Sequence, residues 1–133
     1  MKIVMLFGTF DLLHLGHLAL FRQARKQGDY LIAVVARDKT VLEVKHKNPQ
    51  DKEKERVRKI KASGLVNKVV LGNLRDKYSS IKKYRPNIIA LGYDQRFLTD
   101  DLAEKLKEFK IKAKIVRLKS YKPSIYKTSK LAK

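Results

Sequence analysis

The apolar run near the start of the chain constrains the fold more than any other feature. Residues 2–7 are predicted to form a buried strand, because residues 3–7 are continuously apolar, as is typical of a strand covered on both faces. Gly8 ends this strand, and residues 15–27 then place apolar side chains at helical spacing before Gly28. A covered strand that turns directly into a helix indicates a layered α/β domain.

The same alternation continues along the chain. Further strands are predicted at residues 30–36, 67–71, 87–91 and 112–118. Helices are expected at residues 51–63, with Asp51 as the cap, and at residues 77–84. A further helix is expected to begin after a cap at Thr99 or Asp100 and to end at Phe109, and a short helix is expected from Tyr126. Residues 39–50 are interpreted as an irregular basic loop. Strands that alternate with helices in this way favour a parallel sheet with right-handed crossovers.

Length and composition exclude several classes of protein. The 133 residues predict a single domain spanning 1–133, and the absence of cysteine excludes disulfides, thiolate zinc sites and a catalytic cysteine. No apolar run approaches membrane-spanning length, and the first strand begins within two residues of Met1. A cytoplasmic protein with no membrane partner is therefore expected.

The chain is strongly basic, with a formal net charge of +19. Three interpretations are open: a surface that steers anions towards a polyphosphate site, a nucleic-acid-binding patch, or the general surface chemistry of a basic proteome. Tyr121 and Tyr126 are interleaved with the C-terminal lysines, but no glycine or stacking pattern of an RNA-binding module accompanies them. We favour anion steering combined with surface chemistry, and a nucleic-acid partner is the less favoured interpretation.

Two histidines three residues apart mark the first turn as a candidate site. His14 and His17 lie where the first strand hands over to the first helix, with Gly16 between them. A helix N-terminus there offers free N–H groups and the positive end of the helix dipole to a phosphate. Gly16 lets the backbone approach a ligand closely. The turn is therefore predicted to bind phosphate.

Other polar residues follow further strands of the predicted sheet. In such sheets, ligands bind beyond the carboxyl ends of the strands. The candidates that obey this rule are Thr9, Asp11, His14 and His17 after the first strand, Arg37 and Asp38 after the second, and Asp94 and Gln95 after the fourth.

Four motifs resemble those of the HxGH nucleotidyltransferases, in particular the small cytidylyltransferase-like group. They are GTFDLLHLGH at residues 8–17, ARDKTV at 36–41, PNIIALGYDQ at 86–95 and YKTSKL at 126–131. The group includes glycerol-3-phosphate cytidylyltransferase and the archaeal-type FAD synthase, and the second and third motifs are more similar to the latter. The resemblance covers almost the whole chain. It implies a Rossmann-like, doubly wound, five-stranded parallel sheet with strand order 3-2-1-4-5.

The resemblance also implies a reaction and a set of site residues. A phosphate oxygen of the acceptor would attack the α-phosphorus of a nucleoside triphosphate and release pyrophosphate, with Mg²⁺ or another divalent cation as cofactor. The implied catalytic residues are His14, His17, Lys45 and Lys47. The implied nucleotide-binding residues are Gly8, Thr9, Phe10, Asp11, Gly16, Gly92, Asp94, Gln95, Tyr126, Thr128 and Ser129. The implied acceptor-binding residues are Arg37, Asp38 and Lys122, and the implied metal ligand is Asp11. Lys122 stands where cytidylyltransferases carry arginine.

Arg56 lies at the position of a helix arginine of the family, although an exposed helix face is an equal interpretation of that residue. The leading function is FAD synthesis from ATP and FMN. The alternatives are a CTP:glycerol-3-phosphate cytidylyltransferase or a related CDP-alcohol synthase and, from a different class, a nucleic-acid-binding protein with a degenerate nucleotide fold. A homodimer is expected from resemblance alone.

Overall fold

Five parallel strands form the sheet in the computed structural model, which describes residues 1–92 and 101–119. The strands are β1 (Ile3–Gly8), β2 (Tyr30–Val35), β3 (Lys68–Leu71), β4 (Ile88–Leu91) and β5 (Lys114–Arg117). The helices are α1 (Leu15–Arg25), α2 (Asp38–Lys45), α3 (Glu53–Ser63), α4 (Ser79–Tyr84) and α5 (Leu102–Glu108). The strand order is β3-β2-β1-β4-β5, which confirms the order predicted from the sequence.

Helices cover both faces of the sheet. Alternate residues of β1 point to opposite sides, so that Val4 and Leu6 pack with Phe21 of α1 and Ile60 of α3. Met5 and Phe7 pack on the other side with residues of α4 and α5, including Ile81 and Leu106. Burial of each such side chain contributes roughly 1.5–3 kcal/mol. The continuous apolar run of β1 is thus explained by its central place in a sheet that is covered twice.

The expectation of an irregular loop over residues 39–50 is wrong for its first half. Residues 38–45 form α2, which ends at His46 in a left-handed conformation with φ 60°. The helical pattern is weak because Val41 is buried whereas Leu42 and Val44 are exposed. Contacts that come from elsewhere in the chain stabilise this helix, as described below.

The predicted cap at Asp51 is also wrong. The N-cap residue of α3 is Lys52, which forms no side-chain capping bond. The Asp51 carboxylate forms an ion pair with Lys59 at 2.8 Å instead. The remaining elements begin and end within a few residues of the predicted bounds. Thr99, Asp100 and the segment from Tyr126 lie outside the described residues.

Within the two described ranges, no helix combines the length and the apolar character needed to cross a bilayer.

Candidate active site

The turn between β1 and α1 is shaped by a ring packed against a glycine. Phe10 adopts a left-handed conformation with φ 56°, and its side chain is buried. A Cβ atom at Gly8 would lie 2.6 Å from the ring, so only glycine fits there. The ring also meets Phe21 edge-on at 5.3 Å and His17 at 5.7 Å between centroids. Phe10 therefore fixes the shape of the predicted phosphate-binding turn.

The two histidines cap α1 reciprocally. Nδ1 of His14, the N-cap residue, accepts the backbone N–H of Gly16 at 3.0 Å. Nδ1 of His17 accepts the backbone N–H of His14 at 3.2 Å, in the manner of a capping box. A neutral imidazole has one accepting and one donating nitrogen, so Nε2 carries the hydrogen in both rings. The rings stack with their centroids 3.9 Å apart, and the pair thus supplies two Nε2–H donors side by side.

Both histidines are neutral at physiological pH. Burial, the neighbouring His14 and the Lys45 ammonium lower the pKa of His17 from 6.5 to about 3. Burial also lowers the pKa of His14. Lys45, at the end of α2, acts on His17 electrostatically, and its catalytic role stays a prediction. An ammonium, two neutral N–H donors and the positive end of α1, whose first turn has no acidic side chain, together favour an anion.

Asp38 and Glu53 join α2 and α3, the helices on either side of residues 46–52. The Asp38 carboxylate accepts the backbone N–H of Glu53 at 3.2 Å, and the Glu53 carboxylate accepts that of Asp38 at 2.8 Å. Arg37 donates from Nε to Glu53 at 3.0 Å. Asp38, predicted to bind the acceptor, therefore holds together the elements that follow β2.

Arg56 is fully buried, which excludes the exposed-face interpretation. Its guanidinium donates to the carbonyl oxygens of Asp51 at 3.1 Å, Thr9 at 2.9 Å and Ala36 at 2.8 Å. It also forms an ion pair with Asp38 at 2.7 Å. Arg56 thus links the ends of β1 and β2 to α2. The signal for burial was its place one helical turn before Ile60, on the same face of α3.

The predicted metal ligand Asp11 contacts the loop between α2 and α3. Its carboxylate accepts the backbone N–H groups of Gln50 at 2.7 Å and Asp51 at 2.8 Å. Across the described residues, no group of three or more histidine and carboxylate side chains is arranged to hold a metal ion. The role of Asp11 as a metal ligand stays a prediction.

An open cavity of about 610 Å³ lies beside the carboxyl ends of β2 and β3. Arg37 and, from α4, Lys83 and Tyr84 are among the residues that line it. The loop after β3 contributes Gly72, Asn73, Leu74 and Arg75 to its wall. The cavity therefore combines cationic, apolar and aromatic groups next to a residue that was predicted to bind the acceptor.

Of the remaining predicted site residues, Gly92 and Lys47 are described by the structure and six are not. Gly92 follows β4, and its carbonyl oxygen accepts a hydrogen bond from Arg117 at 3.0 Å. Lys47 is exposed in the loop after α2. Asp94, Gln95, Lys122, Tyr126, Thr128 and Ser129 lie outside the described residues.

The family model of cytidylyltransferase-like proteins matches residues 5–133. The FAD synthase of Aciduliprofundum boonei is 46% identical over 120 residues, which cover 89% of this chain and 78% of that protein. The FAD synthase of Thermococcus sibiricus is 41% identical over 126 residues, covering 93% and 85%. A lipopolysaccharide core biosynthesis protein from Thermoplasma volcanium superposes with a TM-score of 0.85 at 39% identity, covering 91% of this chain and 98% of that one.

A protein of unknown function from Archaeoglobus fulgidus shares the fold, with a TM-score of 0.72 at 20% identity over 96% of this chain and 94% of its own. The resemblance predicted from the sequence motifs is confirmed by the family model and by these relatives. The chain belongs to the cytidylyltransferase-like family of nucleotidyltransferases.

Proposed function

We propose that the chain is an FMN adenylyltransferase, which makes FAD from ATP and FMN. The observation that carries the transfer chemistry is the histidine pair, whose Nδ1 atoms accept the backbone N–H groups of Gly16 and His14 and so leave the hydrogen on each Nε2. The choice of ATP and FMN is supported by relatives that bear the name FAD synthase.

The reaction needs positioning and charge stabilisation more than proton transfer. The FMN phosphate is ionised at neutral pH, so one of its oxygens attacks the α-phosphorus of ATP without a general base. A new P–O bond forms, the bond between the α-phosphorus and the bridging oxygen breaks, and pyrophosphate leaves. His14 and His17 donate to the triphosphate oxygens on which charge accumulates, and each such donor is worth on the order of 10²–10³ in rate.

The turn after β1 is assigned to the triphosphate. The backbone of Gly8, Thr9, Phe10 and Gly16 forms the cradle, and Lys45 at the end of α2 and Lys47 in the loop after it close the cradle. The remaining nucleotide contacts follow from the family motifs: Gly92, Asp94 and Gln95 for the base or ribose, and Tyr126, Thr128 and Ser129 for the β- and γ-phosphates.

The acceptor is assigned to the cavity beside Arg37. Its guanidinium suits the phosphate of FMN, while Tyr84 and Leu74 offer apolar surface to a flat ring system. Asp38 supports this side of the site, because it holds α2 and α3 together. Lys122 is a further proposed contact to the acceptor.

A divalent cation is proposed as the cofactor. Mg²⁺ bound to a nucleotide takes most of its ligands from phosphate oxygens and water, and needs only one or two carboxylates. Asp11 is the carboxylate that the first family motif offers to such an ion, and both of its oxygens also accept backbone N–H groups. When bound, the ion would neutralise part of the charge on the triphosphate. His14, His17 and Lys45 orient the triphosphate and stabilise its remaining charge.

The function is tested by offering four substrate pairs in the presence of Mg²⁺: ATP or CTP with FMN or glycerol 3-phosphate. We expect FAD, identified by its mass, from ATP and FMN alone. The His17→Gln variant, purified in the same way, controls for a contaminating enzyme. CDP-glycerol as the main product would instead assign a cytidylyltransferase. An absence of pyrophosphate release from every pair, together with tight and salt-sensitive RNA binding, would favour the nucleic-acid-binding alternative.

A further inference from the structure

Asp11 joins the turn after β1 to the loop after α2. Its two carboxylate oxygens accept consecutive backbone N–H groups, Oδ2 from Gln50 at 2.7 Å and Oδ1 from Asp51 at 2.8 Å. Two bonds to adjacent amides fix the direction of the loop as well as its position. Bonds of this kind to an ionised carboxylate are roughly twice as strong as neutral ones.

The same loop is held from its other side by α3. The Asp51 carbonyl accepts from the buried guanidinium of Arg56 at 3.1 Å, and its carboxylate pairs with Lys59 at 2.8 Å. Residues 50–51 are therefore fixed between the β1–α1 turn and α3.

The lysines of the predicted cradle lie just before this fixed point. Lys45 ends α2, and Lys47 precedes Gln50 by three residues. Three residues of chain span at most about 11 Å, so the backbone of Lys47 cannot move far from the Asp11 carboxylate. Lys45 lies close enough to His17 to act on it electrostatically.

We propose that Asp11 is a positioning residue that latches the lysine-bearing loop onto the histidine turn, rather than a ligand of the metal. This proposal rests on the proposed function in assigning Lys45 and Lys47 to the triphosphate. The latch itself consists of contacts within the protein.

The latch is tested first without any reaction. Amide hydrogen exchange of Gln50 and Asp51 is measured by NMR in the parent protein and in Asp11→Ala and Asp11→Asn variants, with a chelator present. In Asp11→Ala we expect both backbone amides to exchange faster by about tenfold or more. In Asp11→Asn at least one of them should exchange faster to the same extent, because the asparagine side chain has a single oxygen acceptor.

A matched control is Asp29→Asn, because the Asp29 carboxylate also accepts a backbone N–H, that of Lys2 at 2.8 Å, in a turn away from the site. This variant should leave exchange at Gln50 and Asp51 unchanged. If the two amides keep their protection in both Asp11 variants, Asp11 is not a latch.

A second measurement separates positioning from metal binding. The rate of FAD formation by Asp11→Asn is followed over a range of Mg²⁺ concentrations. A latch predicts a turnover lower by about a hundredfold, because the lysines are misplaced, with the Mg²⁺ concentration at half-maximal rate unchanged. A rise of that concentration by tenfold or more would overturn the proposal in favour of a metal ligand. If the parent protein forms no FAD, the proposed function fails, and the exchange rates still decide whether the latch exists.

Discussion

Asp38 and Glu53 each cap the helix that the other one begins. Each carboxylate accepts the backbone N–H of its partner, at 3.2 Å for the Glu53 amide and 2.8 Å for the Asp38 amide. The first turns of α2 and α3 therefore depend on each other, although neither N-cap residue forms a side-chain capping bond of its own.

Glu53→Gln should lower the free energy of unfolding by about 1 kcal/mol, because the hydrogen bonds from Arg37 and from the Asp38 amide lose their ionised acceptor. The variant keeps one acceptor for the Asp38 amide but loses the ion pair with Arg37. Urea denaturation measures the change. Glu55→Gln is the control, because Glu55 is paired with the exposed Arg58 of the same helix and its loss should shift the midpoint far less.

Arg56→Met should cost roughly 3–5 kcal/mol of unfolding free energy, because it leaves Asp38 without its buried partner and three carbonyl oxygens without their donor. Arg56→Lys should recover only part of this loss, since an ammonium cannot reproduce the planar fork. Arg58→Met, on the exposed face of α3, is the matched control. Equal effects of Arg56→Met and Arg58→Met on the denaturation midpoint would contradict the role given to the buried guanidinium.

His17→Gln should separate catalysis from capping. Glutamine at the third helical position can still accept the His14 backbone N–H, so α1 should keep its cap. Turnover should fall by on the order of 10²–10³, because an amide on a flexible chain replaces the Nε2–H donor that the imidazole ring holds in place. His17→Ala should lose the same activity and about 1 kcal/mol of stability in addition. Near-normal turnover of His17→Gln in a steady-state assay would remove His17 from the catalytic residues.

Acid should destabilise the protein through His17. Its pKa falls from 6.5 to about 3 on folding, so the unfolded chain binds more protons between these values. The contribution of His17 to stability is complete above pH 6.5 and decreases towards pH 3, with a slope of up to about 1.4 kcal/mol per pH unit. Urea denaturation of the parent and of His17→Gln from pH 7 to pH 4 measures this slope. Identical slopes in the two proteins would show that His17 titrates normally.

Lys83→Met should weaken binding of the acceptor and not of the nucleotide. Lys83 lines the cavity beside Arg37 and is exposed there, so its loss removes positive charge without disturbing the core. We expect KM for FMN to rise several-fold while KM for ATP stays constant, as measured by initial rates. Lys61→Met, an exposed lysine of α3 that does not line the cavity, is the control. A rise in KM for ATP alone would place the acceptor elsewhere.

The features that local pattern predicted correctly are those set by neighbours in the chain: the buried β1 and the helix after His14 follow from periodicity and the glycine-bounded turns. The strand order was predicted from the family resemblance and not from local pattern. The cap of α3 was missed because it is supplied by Asp38, 15 residues away. The burial of Arg56 was not decided, because its acceptors are carbonyl oxygens at the ends of two strands. The contact of Asp11 with Gln50 joins residues 39 positions apart, so local periodicity could not predict it.

The reciprocal capping of α1 has a consequence for the energetics of the reaction. The two hydrogen bonds to the Nδ1 atoms of His14 and His17 fix the tautomer of each imidazole. They belong to the cap of α1, so they form when the chain folds. The orientation and the tautomer of both rings are therefore fixed on folding, and the loss of conformational entropy that this requires does not occur on nucleotide binding. The substrate therefore binds to donors whose rings are already held in place, so that little of the binding free energy is needed to order them.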